Sequence, residues 1–338
     1  MSRSACGLAA LGLTAAAWGA PVGKFTCSSC HAAEARTQPK TAMGIGIELP
    51  EEQEILKAHP KLSYTANGYS YLIERRGEQS TYTVSGPGGA VSVPIRYAFG
   101  VRMQTYVIEE DGKFYESMVS YYPPIGGLAI TMGSERIQPK TPLEALGRPV
   151  PMEEAQACFG CHSTGAVGGG KLDLAAMRPG LKCEHCHEGA AAHEVAMNGG
   201  PAAAMPKKLG RLCAEDMSSF CGQCHRTWAT VLRMRVFGPL NVRFQPYRLE
   251  NSKCFLGNDQ RISCTACHNP HEDPVRETAA YDSKCLACHG KGGQYKGCPV
   301  GSRDCASCHM PKVELPGGHV KFTDHMIRVV RPGEAYPD

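Results

Sequence analysis

Seven segments of the chain share the spacing Cys-x-x-Cys-His. They are Cys27, Cys30 and His31; Cys158, Cys161 and His162; Cys183, Cys186 and His187; Cys221, Cys224 and His225; Cys264, Cys267 and His268; Cys285, Cys288 and His289; and Cys305, Cys308 and His309. Two thiols three residues apart share one helical turn, spaced to add across the two vinyl groups of a haem. The residue that follows then carries an imidazole under the ring, where it can ligate the iron. A zinc ribbon or a thioredoxin-like redox pair also uses Cys-x-x-Cys. Neither requires His in the next position, and zinc would want four sulfur or imidazole ligands converging on one tetrahedron. The chemistry implied is covalent attachment of haem c at seven places, which accounts for most of the 18 cysteines.

Each bound iron has room for a second axial ligand. The chain has 13 histidines, and those outside the proximal positions are His59, His185, His193, His271, His319 and His325. His185, inside the third motif, cannot reach back to its own iron; reaching a neighbour's iron and sitting at the surface are both open to it. The expected distal ligands are His59 from the early segment, His193 on a short Gly/Ala-rich helix, His271 in Cys-His-Asn-Pro-His, and His319 and His325 in the tail. At least one iron must then take another ligand or stay open. Met43, shortly after the first motif, is the thioether candidate, with a plain packing role as its alternative. A Met ligand raises the potential relative to two His, and an open position could bind a small substrate. No residue is assigned a catalytic role.

Outside the motifs, a disulfide between Cys254 and Cys298 would clamp the segment holding motifs five to seven in an oxidising compartment. Cys213 then stays free or pairs with one of them. Cys6 lies in the N-terminal stretch, residues 1–20, which has a short basic start, an apolar run and small residues, and reads as a signal peptide. The apolar run falls short of the ~20 residues that a membrane crossing needs. A mature chain without a transmembrane span is expected, exported to the periplasm.

The elements that must position the motifs fall into regions. Residues 21–62 form a first haem segment. Residues 63–139 read as a β-rich module, because β-branched and aromatic residues alternate with polar ones in Tyr69–Arg76, Met103–Glu110 and Lys113–Tyr122. Ser85-Gly-Pro-Gly-Gly89 and Glu110-Asp-Gly-Lys113 supply the turns. Residues 140–312 hold six motifs in short pieces, with helix expected at Leu172 to Met177 and Ser218 to Val236, and loops at Gly165 to Gly170 and Gly189 to Ala204. Residues 313–338 form a tail supplying distal ligands. The expected fold is a multihaem cytochrome c, mostly short helices and loops around stacked haems. A small antiparallel β module is inserted between the first and second motifs. With about 25 residues per cofactor, the macrocycles must take over the part of large apolar side chains.

The formal charge of +4 does not point to nucleic acid. Each ferric haem with ionised propionates adds about −1, so seven bring the mature chain to roughly −4 when oxidised and roughly −11 when reduced.

Three runs carry a resemblance. They are Phe220-Cys-Gly-Gln-Cys-His-Arg-Thr-Trp228, Asn241-Val-Arg-Phe-Gln-Pro-Tyr-Arg-Leu-Glu-Asn-Ser-Lys-Cys254, and Cys305-Ala-Ser-Cys-His-Met-Pro-Lys312 with the His319 and His325 tail. Together they resemble bacterial multihaem cytochromes of the cytochrome c-554-like group, related to hydroxylamine oxidoreductase and pentahaem nitrite reductase. The segment from Pro94 to Gly100 and on to Tyr122 is similar to a β-rich piece found beside the first haem in some of these proteins. The resemblance implies stacked haem pairs, mostly bis-His ligation and a periplasmic setting. It departs from the enzymes of that superfamily, since no motif ends in Lys and no cross-linking Tyr motif is evident.

The expected function is electron carriage between redox partner proteins: other cytochromes, a quinol oxidase or a terminal reductase. The alternative is a multihaem oxidoreductase acting on a small nitrogen or sulfur oxyanion at one five-coordinate haem. A third reading makes the β module a docking platform. Protein matured in a cytochrome-competent host should have an intact mass equal to its polypeptide plus seven haems and should stain for haem. A folded, colourless product, or zinc at the thiols, would contradict the assignment.

Overall fold

The structure, a computed structural model, describes residues 26–203, 205–256, 259–293, 295 and 297–338. The expected signal peptide and Cys6 lie outside the described residues. The chain divides into two compact units. One comprises the described residues up to Lys207 together with Gly317–His319, and the other comprises Lys208–Pro316 and Val320–Asp338. The first three motifs fall in the first unit and the last four in the second.

The first unit contains ten consecutive strands: β1 Ile47–Glu48, β2 Lys61–Ala66, β3 Tyr69–Arg76, β4 Gln79–Gly86, β5 Gly89–Pro94, β6 Tyr97–Phe99, β7 Gln104–Glu110, β8 Lys113–Tyr122, β9 Gly127–Ile130 and β10 Gly147–Val150. They make two antiparallel sheets. One has the order β2-β3-β4-β5, and the other the order β1-β6-β7-β8-β10 with β9 also paired to β8. The turns follow from residue chemistry. Asn67-Gly68 joins β2 to β3 and Asp111-Gly112 joins β7 to β8, and all four residues have positive φ, the conformation that a tight two-residue hairpin needs. Alternation then sets the buried face, with Tyr69, Tyr71 and Ile73 inward on β3 and Tyr82 and Val84 inward on β4. These side chains join Ile95, Tyr106, Ile108, Met118 and Leu146 in one apolar cluster drawn from both sheets.

A second cluster ties the sheet containing β1, β6, β7, β8 and β10 to the second motif. Phe159, fully buried between Cys158 and Cys161, meets Tyr97, Phe99 and Phe114 edge-on at centroid distances of 5.0, 5.2 and 5.7 Å. Such aromatic edges add about 0.5–1.5 kcal/mol each beyond the area they bury. Arg148 on β10 completes the join, donating to Glu116 on β8 at 2.8 Å and to Glu154 on the motif helix at 2.7 and 2.8 Å.

Several local expectations are corrected. Leu172 to Met177 is not a helix. Lys171–Leu172 pairs with Val167–Gly168 in a small hairpin, and the Asp173 carboxylate accepts from the amides of Ala175 and Ala176, an Asx-type turn that competes with helix. The Gly165 to Gly170 loop therefore contains half of that hairpin, with Gly169 and Gly170 at positive φ in its turn. The Gly189 to Ala204 spacer, expected as a loop, holds a helix at Ala190–Met197, the short Gly/Ala-rich helix expected to carry His193, consistent with the helix preference of alanine. The expected helix from Ser218 to Val236 is two helices, Ala214–His225 and Trp228–Met234. They are separated by Arg226 at φ 69° and restarted by Thr227, whose hydroxyl caps the amide of Thr230.

The second unit has a small side-chain core. Among the described residues its one apolar cluster is Val231, Phe244 and Tyr247, while Trp228, Leu232, Met234, Phe237 and Val275 are exposed.

Glu154 supplies a pH test. Hydrogen bonds from Arg148 hold its carboxyl below the usual range, against the opposing effect of burial. A depressed carboxylate stabilises the fold above its unfolded pKa, and that contribution is lost as pH falls through the folded value. The pair is part-exposed, so Glu154→Gln should cost no more than about 1 kcal/mol at neutral pH. Denaturant unfolding should show the gap between wild type and variant closing as the medium is acidified through the carboxylate range.

Candidate haem centres

All seven Cys-x-x-Cys-His segments take one form, a helical turn that ends at the histidine or one residue before it. Cys27–Cys30, Cys183–Cys186 and Cys264–Cys267 are four-residue turns with His31, His187 and His268 as their C-caps. The other four motifs close the helices Met152–His162, Ala214–His225, Asp282–His289 and Cys305–His309. All fourteen motif cysteines are free thiols. Burial is the leading cause that pushes Cys27, Cys158 and Cys305 up to about 11 and raises Cys186, Cys267 and Cys285. Cys264 is lowered instead, chiefly by its hydrogen bond with Cys221.

Among the described residues no three His, Cys, Asp or Glu side chains gather as a metal cluster.

Proximal imidazoles are aimed by their second nitrogen. His162 Nδ1 lies 3.0 Å from the Gly46 carbonyl, and His309 Nδ1 lies 2.8 Å from the Arg328 carbonyl. A carbonyl can only accept, so in each neutral ring Nδ1 carries the proton and Nε2 the lone pair that an iron takes. The residues therefore fit haem c: two thiols and an imidazole on one turn, the tautomer of that imidazole fixed at His162 and His309.

The motifs also neighbour one another within each unit. Cys27 interacts with Cys183, and its Sγ meets the Glu194 carboxylate at 3.6 Å, so motifs one and three and the helix carrying His193 converge. The segment leading into motif three is joined by backbone to motif two, the Gly180 amide donating to the His162 carbonyl at 3.1 Å, and to the segment after motif one, the Leu181 amide donating to the Met43 carbonyl at 3.0 Å. A Cβ at Gly180 would strike the Gly44 carbonyl, and its φ is +70°, so glycine is what lets these two segments run together. In the second unit Cys221 contacts Cys264, Cys267 interacts with Cys285, and Cys285 interacts with Cys305. The Asp282 carboxylate at the start of the sixth motif's helix accepts from the amides of Asp304 and Cys305 at 2.7 and 2.8 Å, setting the seventh motif against the sixth.

The distal candidates have different surroundings. His59 Nε2 is 2.9 Å from the Tyr121 hydroxyl, and the His319 ring stands edge-on to Tyr122 at 4.9 Å, so strand β8 holds both. His193 shares a helix with Glu194, the His271 amide donates to the Asn269 side chain, and Met43 is half-buried in the helix Ala42–Ile45. His185, within its motif, is lowered by burial. His325 is set among proximal ligands: its ring centre is 6.2 Å from that of His268. Burial, reinforced by His268 and His225, pushes it down to about 4, so it is neutral at neutral pH.

The segment holding His325 is pinned by a fully buried ion pair that sequence reasoning did not anticipate. Arg248 Nε and Nη2 donate to the two Asp324 oxygens at 2.8 and 3.0 Å, Nη1 donates to the Pro337 carbonyl at 2.7 Å, and the guanidinium lies over Tyr336. Arg328 and the Met326 amide also reach Asp324. The available signal was an arginine between Tyr247 and Leu249, both buried, on a short helix.

The cysteine expectation is corrected. Cys254 and Cys298 are both free, so no clamp joins them. Cys213 is disulfide-bonded, with neither of them as its partner.

Among the described residues no helix is long and apolar enough to cross a membrane. A family model described as cytochrome c554 and c-prime matches residues 134–188, the stretch with the second and third motifs. No curated protein and no solved structure matches the chain. The match supports a c-type cytochrome of the c554 type, with covalently bound haem c and a role in electron transfer.

Arg248→Met should destabilise the protein by about 3 kcal/mol, at the low end for breaking a buried pair, because Asp324 loses two of its donors and keeps Arg328 and the Met326 amide. Replacing both partners with apolar residues should cost less. Denaturant midpoints of the two variants give the comparison.

Proposed function

We propose that the protein is a periplasmic seven-haem c-type cytochrome that relays electrons between redox partner proteins, such as other cytochromes, a quinol oxidase or a terminal reductase. The observation that carries this reading is the repetition, seven times, of a helical turn with two free thiols and a following histidine, with neighbouring turns in side-chain or backbone contact. Bound haem supplies a reversible ferric/ferrous couple. The chain supplies attachment through fourteen thiols, ligation through seven proximal histidines, and fixed tautomers through carbonyls such as those of Gly46 and Arg328. Electron tunnelling falls off exponentially with separation, so thiols as close as Cys221 and Cys264 favour rapid exchange between their cofactors. Stacked haems enclosed by short helices form the interior of the second unit in this reading, where side chains alone provide little core.

Residues 1–20 act as the export signal that brings the chain to the compartment where thioether bonds form. The distal ligands are His59, His193, His271, His319 and His325, with Met43 as a thioether ligand for a remaining iron.

One observation favours the alternative, an oxidoreductase acting on a small nitrogen or sulfur oxyanion: six non-proximal histidines face seven irons. Spectroscopy on the purified protein separates the readings. A relay predicts that no haem responds to nitrite or hydroxylamine and that the haems are reduced and reoxidised by a partner cytochrome. A high-spin ferric signal that shifts on adding either compound would overturn it in favour of the enzyme.

A further inference from the structure

We infer that His325 is the axial partner of His268 on the iron of the fifth motif. The inference rests on the c-type haem assignment above and adds to it one specific pairing. Two imidazoles on opposite sides of one iron each sit at a metal–nitrogen distance of about 2 Å, and the ring centre lies ~1 Å further out, so the centres of a bis-His pair are about 6 Å apart. The centres of His268 and His325 are 6.2 Å apart. They come from segments more than fifty residues apart, so nothing local imposes that separation.

The tautomers agree with it. His325 Nδ1 is 3.0 Å from the Thr323 carbonyl, which can only accept, so Nδ1 holds the proton and Nε2 the lone pair. The Tyr281 hydroxyl spends its one proton on the Val275 carbonyl at 3.0 Å, so its oxygen faces His268 Nδ1, at 3.5 Å, as an acceptor. Both rings therefore direct an unprotonated Nε2 away from their anchors, as a pair of ligands to one metal must.

The backbone around His325 is rigid for the same purpose. Asp324 before it is locked by Arg248 and Arg328, and the Met326 amide after it donates to the same carboxylate. A ligand held in advance loses little entropy on binding, which favours one fixed partner over exchange among several.

His225 of the fourth motif also lies near His325, so the test must tell the two irons apart. The mature full-length protein is used, with haems counted by intact mass. His325→Gly should keep seven haems and convert one of them from low to high spin in low-temperature electron paramagnetic resonance, and added imidazole should restore the low-spin signal. In a Cys264→Ala/Cys267→Ala background, one haem lighter, the same substitution should create no new high-spin iron. A new high-spin iron there would assign His325 to a different haem and overturn the pairing, as would an unchanged spectrum in the single variant. If His325→Gly does not accumulate, His325→Met decides the question. One haem should take on a Met-His spectrum and a raised potential in the parent and none in the six-haem background, and any other pattern overturns the inference. A protein without haem fails the underlying assignment, whereas a seven-haem protein with an unaltered variant spectrum fails this pairing alone.

Discussion

One constraint governs the rest of this molecule: two thiols and an imidazole within five residues must be offered by a single helical turn that stops there. A helix that ran on past the histidine would bury the ring against its own next turn instead of presenting it. Each motif accordingly ends its helix, by a cap at His31, His187 and His268 or by termination on the histidine itself in the other four. Repeating this stop seven times cuts the chain into short helices and denies it long amphipathic ones. Side-chain packing between helices is then a weak source of stability.

The two units answer that deficit differently. The first contains two antiparallel sheets whose inward tyrosines, isoleucines and valines make a conventional core, and it attaches the second motif through Phe159, a residue inside the motif itself. There side chains supply the core, and the motif packs onto it through Phe159. The second unit carries four motifs with one apolar cluster, Val231, Phe244 and Tyr247, among the described residues, and with large apolar side chains exposed. It also holds a buried ion pair. Arg248 and Asp324, both fully buried, bind each other and gather the C-terminal segment around them. A buried ion pair contributes little net stability over apolar packing, but its geometry is exacting, which suits a segment that must hold an imidazole in one place.

Hydrogen bonding to the far nitrogen of histidine recurs as the means of aiming. Gly46, Thr323 and Arg328 lend backbone carbonyls and Tyr281 a hydroxyl oxygen, each from an element remote from or just beside the ring it orients. None of these acceptors has a side-chain signature, since any residue has a carbonyl. Their placement depends on close passages such as that of Gly180 against Gly44, where only a residue without a Cβ fits.

The motifs and the strand alternation were legible from the sequence because both are local. Five consecutive residues suffice for attachment and proximal ligation, and Tyr69–Arg76 and Lys113–Tyr122 announce a period of two, with strands found at those positions. Helices were read less well where a side chain competed with the backbone, as Asp173 does, or where a threonine restarted a helix after a left-handed residue, as Thr227 does. Which histidine faces which motif, which cysteines stay free, and that Arg248 would find Asp324 were decided by tertiary structure alone. Such pairings depend on where segments tens of residues apart are brought by turns, sheet register and glycine contacts, and spacing along the chain carries no record of that.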